Sequence, residues 1–169
     1  MRNFLFLALL LLGGCGYKPL AYYASASFGK SIYVEIVIPS DFPKLGVSAK
    51  DMINRAILTR LHLSLASKET AQTILKVEAS QINFEMISED SQGFANHYRA
   101  NIALTFSYKD LNNRAYSMTL QAYGDYAATS AMTTLSIEKA QLDAINSALQ
   151  QIVDQFTSKI FYQGVTHQK

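Results

Sequence analysis

The sequence predicts a single α+β domain in the order β-α-β-β-β-α, with two helices packed on one face of a four-stranded mixed sheet. Long stretches alternate between apolar and polar residues, which is typical of strands with one covered face, and two other stretches repeat apolar residues at helical spacing. The second helix and the longest strands both have predicted lengths of about 38 Å. Packing them side by side would bury both apolar faces.

The first three elements are predicted from their residue types and from the spacing of their apolar side chains. Residues 31–38 are rich in β-branched and aromatic side chains and are followed by Pro39, so they predict a strand. Residues 48–64 repeat apolar side chains at i, i+3 and i+4 after Ser48, a predicted N-cap, and indicate a helix. Residues 73–84 alternate again and predict a strand that the acidic stretch 85–93 ends.

The next two strands are predicted to form a long antiparallel hairpin, followed by the second helix. Residues 98–108 and 116–126 both alternate strictly, and a polar turn at 109–114 separates them. Residues 137–161 carry one apolar stripe at helical spacing. The alternation points four tyrosines inward: Tyr98, Tyr108, Tyr116 and Tyr126.

The N-terminal residues 1–14 have the pattern of a bacterial signal peptide. A positive charge precedes an apolar run at 4–12, which is much shorter than the roughly 20 residues that a membrane-spanning helix needs. Small residues then lead into Cys15, the only cysteine of the chain, so no disulfide partner exists for it. We expect cleavage before Cys15 and lipidation of its thiol, with acyl chains that hold the protein to a membrane.

The mature chain is then divided into a lipidated tether at 15–30, the α+β domain at 31–162 and a C-terminal tail at 163–169. Gly16 follows the cysteine where an Asp would favour retention in the inner membrane, so the outer membrane is the expected location, with the anchor facing the periplasm. The chain has 15 basic and 13 acidic residues without a concentrated basic segment. This near-neutral balance argues against a nucleic-acid partner.

Residues that would support catalysis do not form a recognisable pattern. The three histidines, at 62, 97 and 167, are far apart in sequence and form no metal-ligand motif with cysteine or carboxylate. The adjacent Glu89 and Asp90 read as a solvated turn. No phosphate-binding loop or nucleophile elbow occurs. We therefore expect no enzyme activity, no metal and no cofactor.

The outward positions of the predicted hairpin are polar but nearly uncharged. Thr105, Thr119, Gln121 and Tyr123 belong to this face, which suits either water or a hydrated protein interface. Arg99 lies on the same face and is a candidate to bind a lipid phosphate, although scattered solubilising charge is the competing explanation.

The segment Leu12-Gly13-Gly14-Cys15-Gly16-Tyr17, followed by the pattern β-α-β-β-β-α, resembles the lipopolysaccharide-assembly lipoprotein LptE family. Residues 15–20 resemble the start of its epsilonproteobacterial members. The resemblance implies a non-catalytic outer-membrane lipoprotein that plugs the lumen of the LptD β-barrel, helps it fold and helps deliver lipopolysaccharide to the cell surface. From the family motif only Cys15 is carried over, as the lipidated residue. In such a protein the polar hairpin face would be the candidate barrel interface and Arg99 the candidate for lipopolysaccharide contact.

Two other functions remain open from the sequence. One is a lipoprotein docking subunit of another envelope lipid-transport or efflux apparatus. The other is a soluble-ligand binding module, which should have a pocket between its helices and its sheet.

Overall fold

The computed structural model describes residues 20–166, so the predicted signal peptide, Cys15 and residues 167–169 lie outside the described part of the chain. The described residues form three helices and five strands: α1 (Leu20–Phe28), β1 (Ser31–Val37), α2 (Pro43–Thr59), β2 (Ser64–Leu65), β3 (Thr73–Glu89), β4 (Ala95–Lys109), β5 (Ala115–Ala127) and α3 (Thr134–Thr166). Within this range no helix is long and apolar enough to cross a membrane.

The strands form one mixed sheet in the order β2-β1-β3-β4-β5. β1 pairs in parallel with β3 across the α2 crossover, whereas β3, β4 and β5 are antiparallel neighbours. The α+β class and the long β4–β5 hairpin are as predicted. The predicted number of four strands is wrong, because β2 adds a fifth at the edge of β1. Two residues are too few to produce a detectable alternation in sequence.

The predicted number of two helices is also wrong, because α1 forms within the stretch 15–30 that the sequence assigned to an irregular tether. Its Ala, Ser and Tyr residues have no clear apolar stripe, but Ala24 and Phe28 are completely buried. The ring of Phe28 lies 4.5 Å from that of Tyr108 and 6.5 Å from that of Phe156, measured between centroids. Packing against distant residues therefore stabilises a helix that local propensity does not reveal.

Several predicted boundaries differ from the structure: α2 ends at Thr59 instead of residue 64, and β4 starts at Ala95 instead of residue 98. α2 begins at Pro43, five residues before the predicted N-cap, because proline is well tolerated in the first helical turn. β3 continues through the acidic stretch to Glu89, since it pairs with β4 as far as Ala95. α3 runs to Thr166, so residues 163–166 are helical where the sequence predicted a tail.

The hydrophobic core lies on one side of the sheet, between the sheet and the three helices of the described range. Phe106 of β4 stacks on Phe156 of α3 with ring centroids 4.5 Å apart. The predicted inward tyrosines also lie on this side, in two stacked pairs: Tyr98 with Tyr126 and Tyr108 with Tyr116. The opposite side of β3, β4 and β5, called the outer face below, carries the polar residues of the alternation.

Candidate functional site

The outer face brings all five predicted site residues of the hairpin together. Strand pairing places Thr105 opposite Thr119, and Arg99 opposite Asp125. Because side chains alternate along a strand, each of these positions points away from the core. The outer face comprises three rows, one from each strand: Lys76, Glu78, Gln81, Asn83 and Glu85; Arg99, Asn101, Ala103, Thr105 and Ser107; Ser117, Thr119, Gln121, Tyr123 and Asp125.

Hydroxyl pairs join β4 and β5 at the centre of this face. The Oγ1 atoms of Thr105 and Thr119 lie 2.9 Å apart, and the Oγ atoms of Ser107 and Ser117 lie 3.2 Å apart. Each hydroxyl has one donor and two acceptor sites, so a cross-strand bond leaves capacity for a second partner. The exposed members, Ser117 and Thr119, present that capacity outward.

Arg99 is held by its neighbours on the same face. Its Nε and Nη2 atoms donate to the two carboxylate oxygens of Asp125 at 2.7 and 2.9 Å, and its guanidinium lies 3.9 Å from the centre of the Tyr123 ring. The hydrogen bonds raise the pKa of Arg99 and hold the pKa of Asp125 below its usual value. A lipid phosphate would have to compete with Asp125, and contact between Arg99 and lipopolysaccharide stays a prediction.

The other cation on the outer face is also paired. Lys76 Nζ lies 2.7 Å from a carboxylate oxygen of Glu78, its near neighbour on β3. Two ion pairs therefore neutralise Lys76 and Arg99, Glu85 lies opposite Arg99 on β3, and hydroxyls and amides occupy most of the remaining area. The arrangement can form many neutral hydrogen bonds with a partner, whereas it offers little net charge.

A pocket of about 390 Å³ lies beside β5. Its lining comprises five residues with amide side chains and four others: Gln81, Asn101, Gln121, Gln151 and Gln155; Ile102, Ala103, Ala122 and Tyr123. Gln151 and Gln155 come from α3, and their Nε2 atoms each donate to a carbonyl oxygen of β5, Tyr123 O and Gln121 O, at 3.1 Å. Sequence reasoning missed both residues, because a glutamine on the polar side of a helix carries no signal of a contact 28 or 34 residues away.

No group of three or more His, Cys, Asp or Glu residues within 20–166 is arranged to hold a metal ion. His97 bonds to its neighbour Asn96, and His62 to the carbonyl of Arg60. His167 lies outside the described residues.

Solved lipoprotein structures share this fold at low sequence identity. Rare lipoprotein B from Shewanella oneidensis is similar with a TM-score of 0.57 and 12% identity, over 81% of this chain and 99% of that one. A putative lipoprotein from Caulobacter crescentus is similar with a TM-score of 0.57 and 12% identity, over 89% of this chain and 97% of that one. Lipoprotein B from Nitrosomonas europaea is similar with a TM-score of 0.55 and 18% identity, over 83% of this chain and 88% of that one. A comparison with curated protein sequences gives no match.

A family model matches the sequence directly. The model is that of LptE, described as lipopolysaccharide assembly, and it covers residues 29–160, from the end of α1 through most of α3. The match thus includes the whole sheet and the outer face, and it confirms the resemblance that the N-terminal motif suggested. The chain belongs to the LptE family of lipopolysaccharide-assembly proteins.

Proposed function

We propose that this chain is an outer-membrane lipoprotein, lipidated at Cys15, whose body plugs the lumen of an LptD-like β-barrel. In this role it helps the barrel assemble and helps insert lipopolysaccharide at the cell surface. Membership of the LptE family supports the pathway. The outer face of β3, β4 and β5 is the observation that supports the plug.

The chemistry of the outer face suits the inside of a barrel. Barrel lumens are polar and hydrated, unlike the lipid-facing surface. Paired charges such as Arg99 with Asp125 and neutral hydroxyls such as Thr119 form hydrogen bonds there without leaving an unpaired buried charge. Interface cores are likewise depleted in free charges and contain tyrosine, and Tyr123 is 51% exposed on this face.

The dimensions of the body also suit a lumen. α3 contains 33 residues, which gives a length of about 50 Å at the usual helical rise. The apolar band of an outer-membrane barrel is about 25 Å tall. A body of this length extends through that band and beyond one rim, so it can contact the barrel along its whole height.

The proposed role is structural and not catalytic. Within residues 20–166 the outer-face hydroxyls bond to one another across the strands, as Thr105 does to Thr119, instead of to a general base. Such pairs add recognition surface but do not activate a nucleophile.

The experiment is a gentle-detergent pull-down of the intact lipoprotein from outer membranes, followed by mass spectrometry. The parent chain should recover one large outer-membrane barrel near one-to-one. Thr119→Arg places an unpaired charge on the outer face and should reduce recovery by about ten-fold or more. Ser147→Arg makes a similar change on the solvent side of α3 and is the matched control, expected to recover the barrel normally.

Circular dichroism should show that both variants stay folded, because positions 119 and 147 are exposed. Normal recovery with Thr119→Arg, and likewise with Gln121→Arg and Thr105→Arg, would mean that the chain docks through its loops or helices. Recovery of inner-membrane transporter subunits in place of a barrel would favour the alternative, a docking subunit of another envelope apparatus.

A further inference from the structure

The beginning of α1 and the end of α3 meet at one end of the molecule. The two helices pack antiparallel: Tyr23 of α1 contacts Phe161 of α3 with ring centroids 5.2 Å apart, whereas Phe28, further along α1, contacts Phe156, further back along α3. The β4–β5 turn lies at the same end, since Tyr108 donates a hydrogen bond of 2.8 Å to Gln163. We call this the anchor-proximal end.

The chain length between Cys15 and α1 places this end close to the lipid. Only four residues, 16–19, separate Cys15 from Leu20. A chain of that length spans at most about 18 Å, even when it is fully extended. With acyl chains on Cys15, the anchor-proximal end therefore lies within reach of the bilayer surface.

The side chains exposed at this end are those that favour a membrane interface. Tyr22 is 45% exposed, Phe161 37% and Tyr162 70%. They belong to one series of ring contacts, in which Tyr22 meets Tyr23 and Phe161 meets Tyr162 at 5.6 and 6.4 Å. Aromatic rings with a polar edge are enriched at the headgroup level of membranes.

Exposed cations accompany these rings. Lys159 lines a surface depression together with Tyr162 and Asp154, whose carboxylate pairs with Arg60. Lys109 and Arg114 flank the β4–β5 turn. The carboxylate of Asp110 in that turn accepts hydrogen bonds from the backbone N–H groups of Asn112 and Arg114 at 2.9 and 2.8 Å. Lys159, Lys109 and Arg114 outnumber the carboxylate of Asp110, and this excess of positive charge complements an anionic bilayer surface.

We propose that the anchor-proximal end rests on the phospholipid headgroups of the bilayer that holds the acyl chains, through Tyr22, Phe161, Tyr162 and Lys159. In a bilayer that holds no barrel around the body, the strands then point away from the lipid, and the β3–β4 tip, which includes Phe94, lies farthest from it. The inference rests on the lipidation of Cys15 in the proposed function, but it requires no barrel partner.

The test uses the absence of tryptophan from the whole sequence, so that one introduced tryptophan is a unique probe. The variants Tyr162→Trp and Leu111→Trp place it at the anchor-proximal end. Phe94→Trp is the matched control, because Phe94 is 64% exposed and Leu111 54%, but at opposite ends of the strands. The full mature chain is coupled through Cys15 to a maleimide lipid in vesicles of phosphatidylethanolamine and phosphatidylglycerol that contain brominated lipid.

We expect several-fold stronger quenching at positions 162 and 111 than at position 94. Lys159→Glu in the Tyr162→Trp chain should weaken that quenching, whereas Lys139→Glu, near the other end of α3, should not. Equal quenching at all three probes, or stronger quenching at 94, would overturn the proposal.

Chemical coupling makes this result independent of acylation in the cell. Mass spectrometry of the native chain tests that acylation separately, and an unmodified Cys15 would contradict the proposed function alone.

Discussion

One glycine decides how closely α3 approaches the sheet. Gly124 is buried on β5, and a Cβ atom at this position would overlap the backbone of Ala144, with the carbonyl carbon only 2.7 Å away. The absence of a side chain thus lets the helix backbone lie directly against the strand. The requirement is steric, because α3 occupies the space that any larger residue would need.

Gly124→Ala should therefore destabilise the domain by about 1–3 kcal/mol, the usual cost of inserting a methyl group into a packed interior. Gly46→Ala is the control: its Cβ would meet nothing closer than 3.9 Å, and replacing a helical glycine should stabilise α2 by about 0.5–1 kcal/mol. Urea denaturation followed by circular dichroism measures both. Equal stability of the two variants would show that α3 can shift away from β5 without loss.

At the scale of elements, β5 is an edge strand whose outer backbone groups need protection. Exposed strand edges can pair with other chains, and proteins commonly cover them with a helix or a loop. Here α3 supplies the cover through Gln151 and Gln155, which donate to the carbonyls of Tyr123 and Gln121. The helix thus stabilises the same strand that contributes one row of the outer face.

The double variant Gln151→Ala, Gln155→Ala should lower the free energy of unfolding by roughly 1–3 kcal/mol, since each net hydrogen bond contributes about 0.5–1.5 kcal/mol. It should also increase self-association, because the edge of β5 becomes available for pairing. Chemical denaturation and light scattering measure the two effects. Gln150→Ala removes a glutamine that bonds to Asp154 instead, and it should leave association unchanged. Association equal in the two variants would contradict the capping role.

The elements that were predicted well from sequence are those in which one alternating pattern continues over many residues. Strict alternation located β4, β5 and all five predicted outer-face residues, because a period of two directly specifies which side chains face away from the core. α1 and β2 escaped prediction because they depend on distant partners, as Phe28 does on Phe156. The pairing of Arg99 with Asp125 and the glutamine caps likewise depend on register and helix placement, which no local pattern encodes.

At the scale of the whole molecule, the two ends of the body differ in chemistry. One end carries the beginning of α1 and the end of α3, and the predicted anchor at Cys15 precedes α1 by only a few residues in sequence. The other carries the β3–β4 tip, where Met86, Ile87 and Phe94 are exposed. A single covalent anchor at one end would orient the whole body relative to the membrane, so the identity of residue 15 has consequences well beyond the N-terminus.

Cys15→Ala should abolish this orientation by removing the thiol that receives the lipid. We expect the variant to accumulate as an unprocessed or soluble precursor, because two or three acyl chains hold a protein to a bilayer far more strongly than surface contacts do. Membrane fractionation and intact-mass measurement of the variant and the parent test this. Gly16→Ser keeps the thiol and should be processed and retained like the parent. If Cys15→Ala showed the membrane association of the parent and the same mass apart from the substitution, residue 15 would not be the anchor, and the outer face would have to reach its partner without a tether.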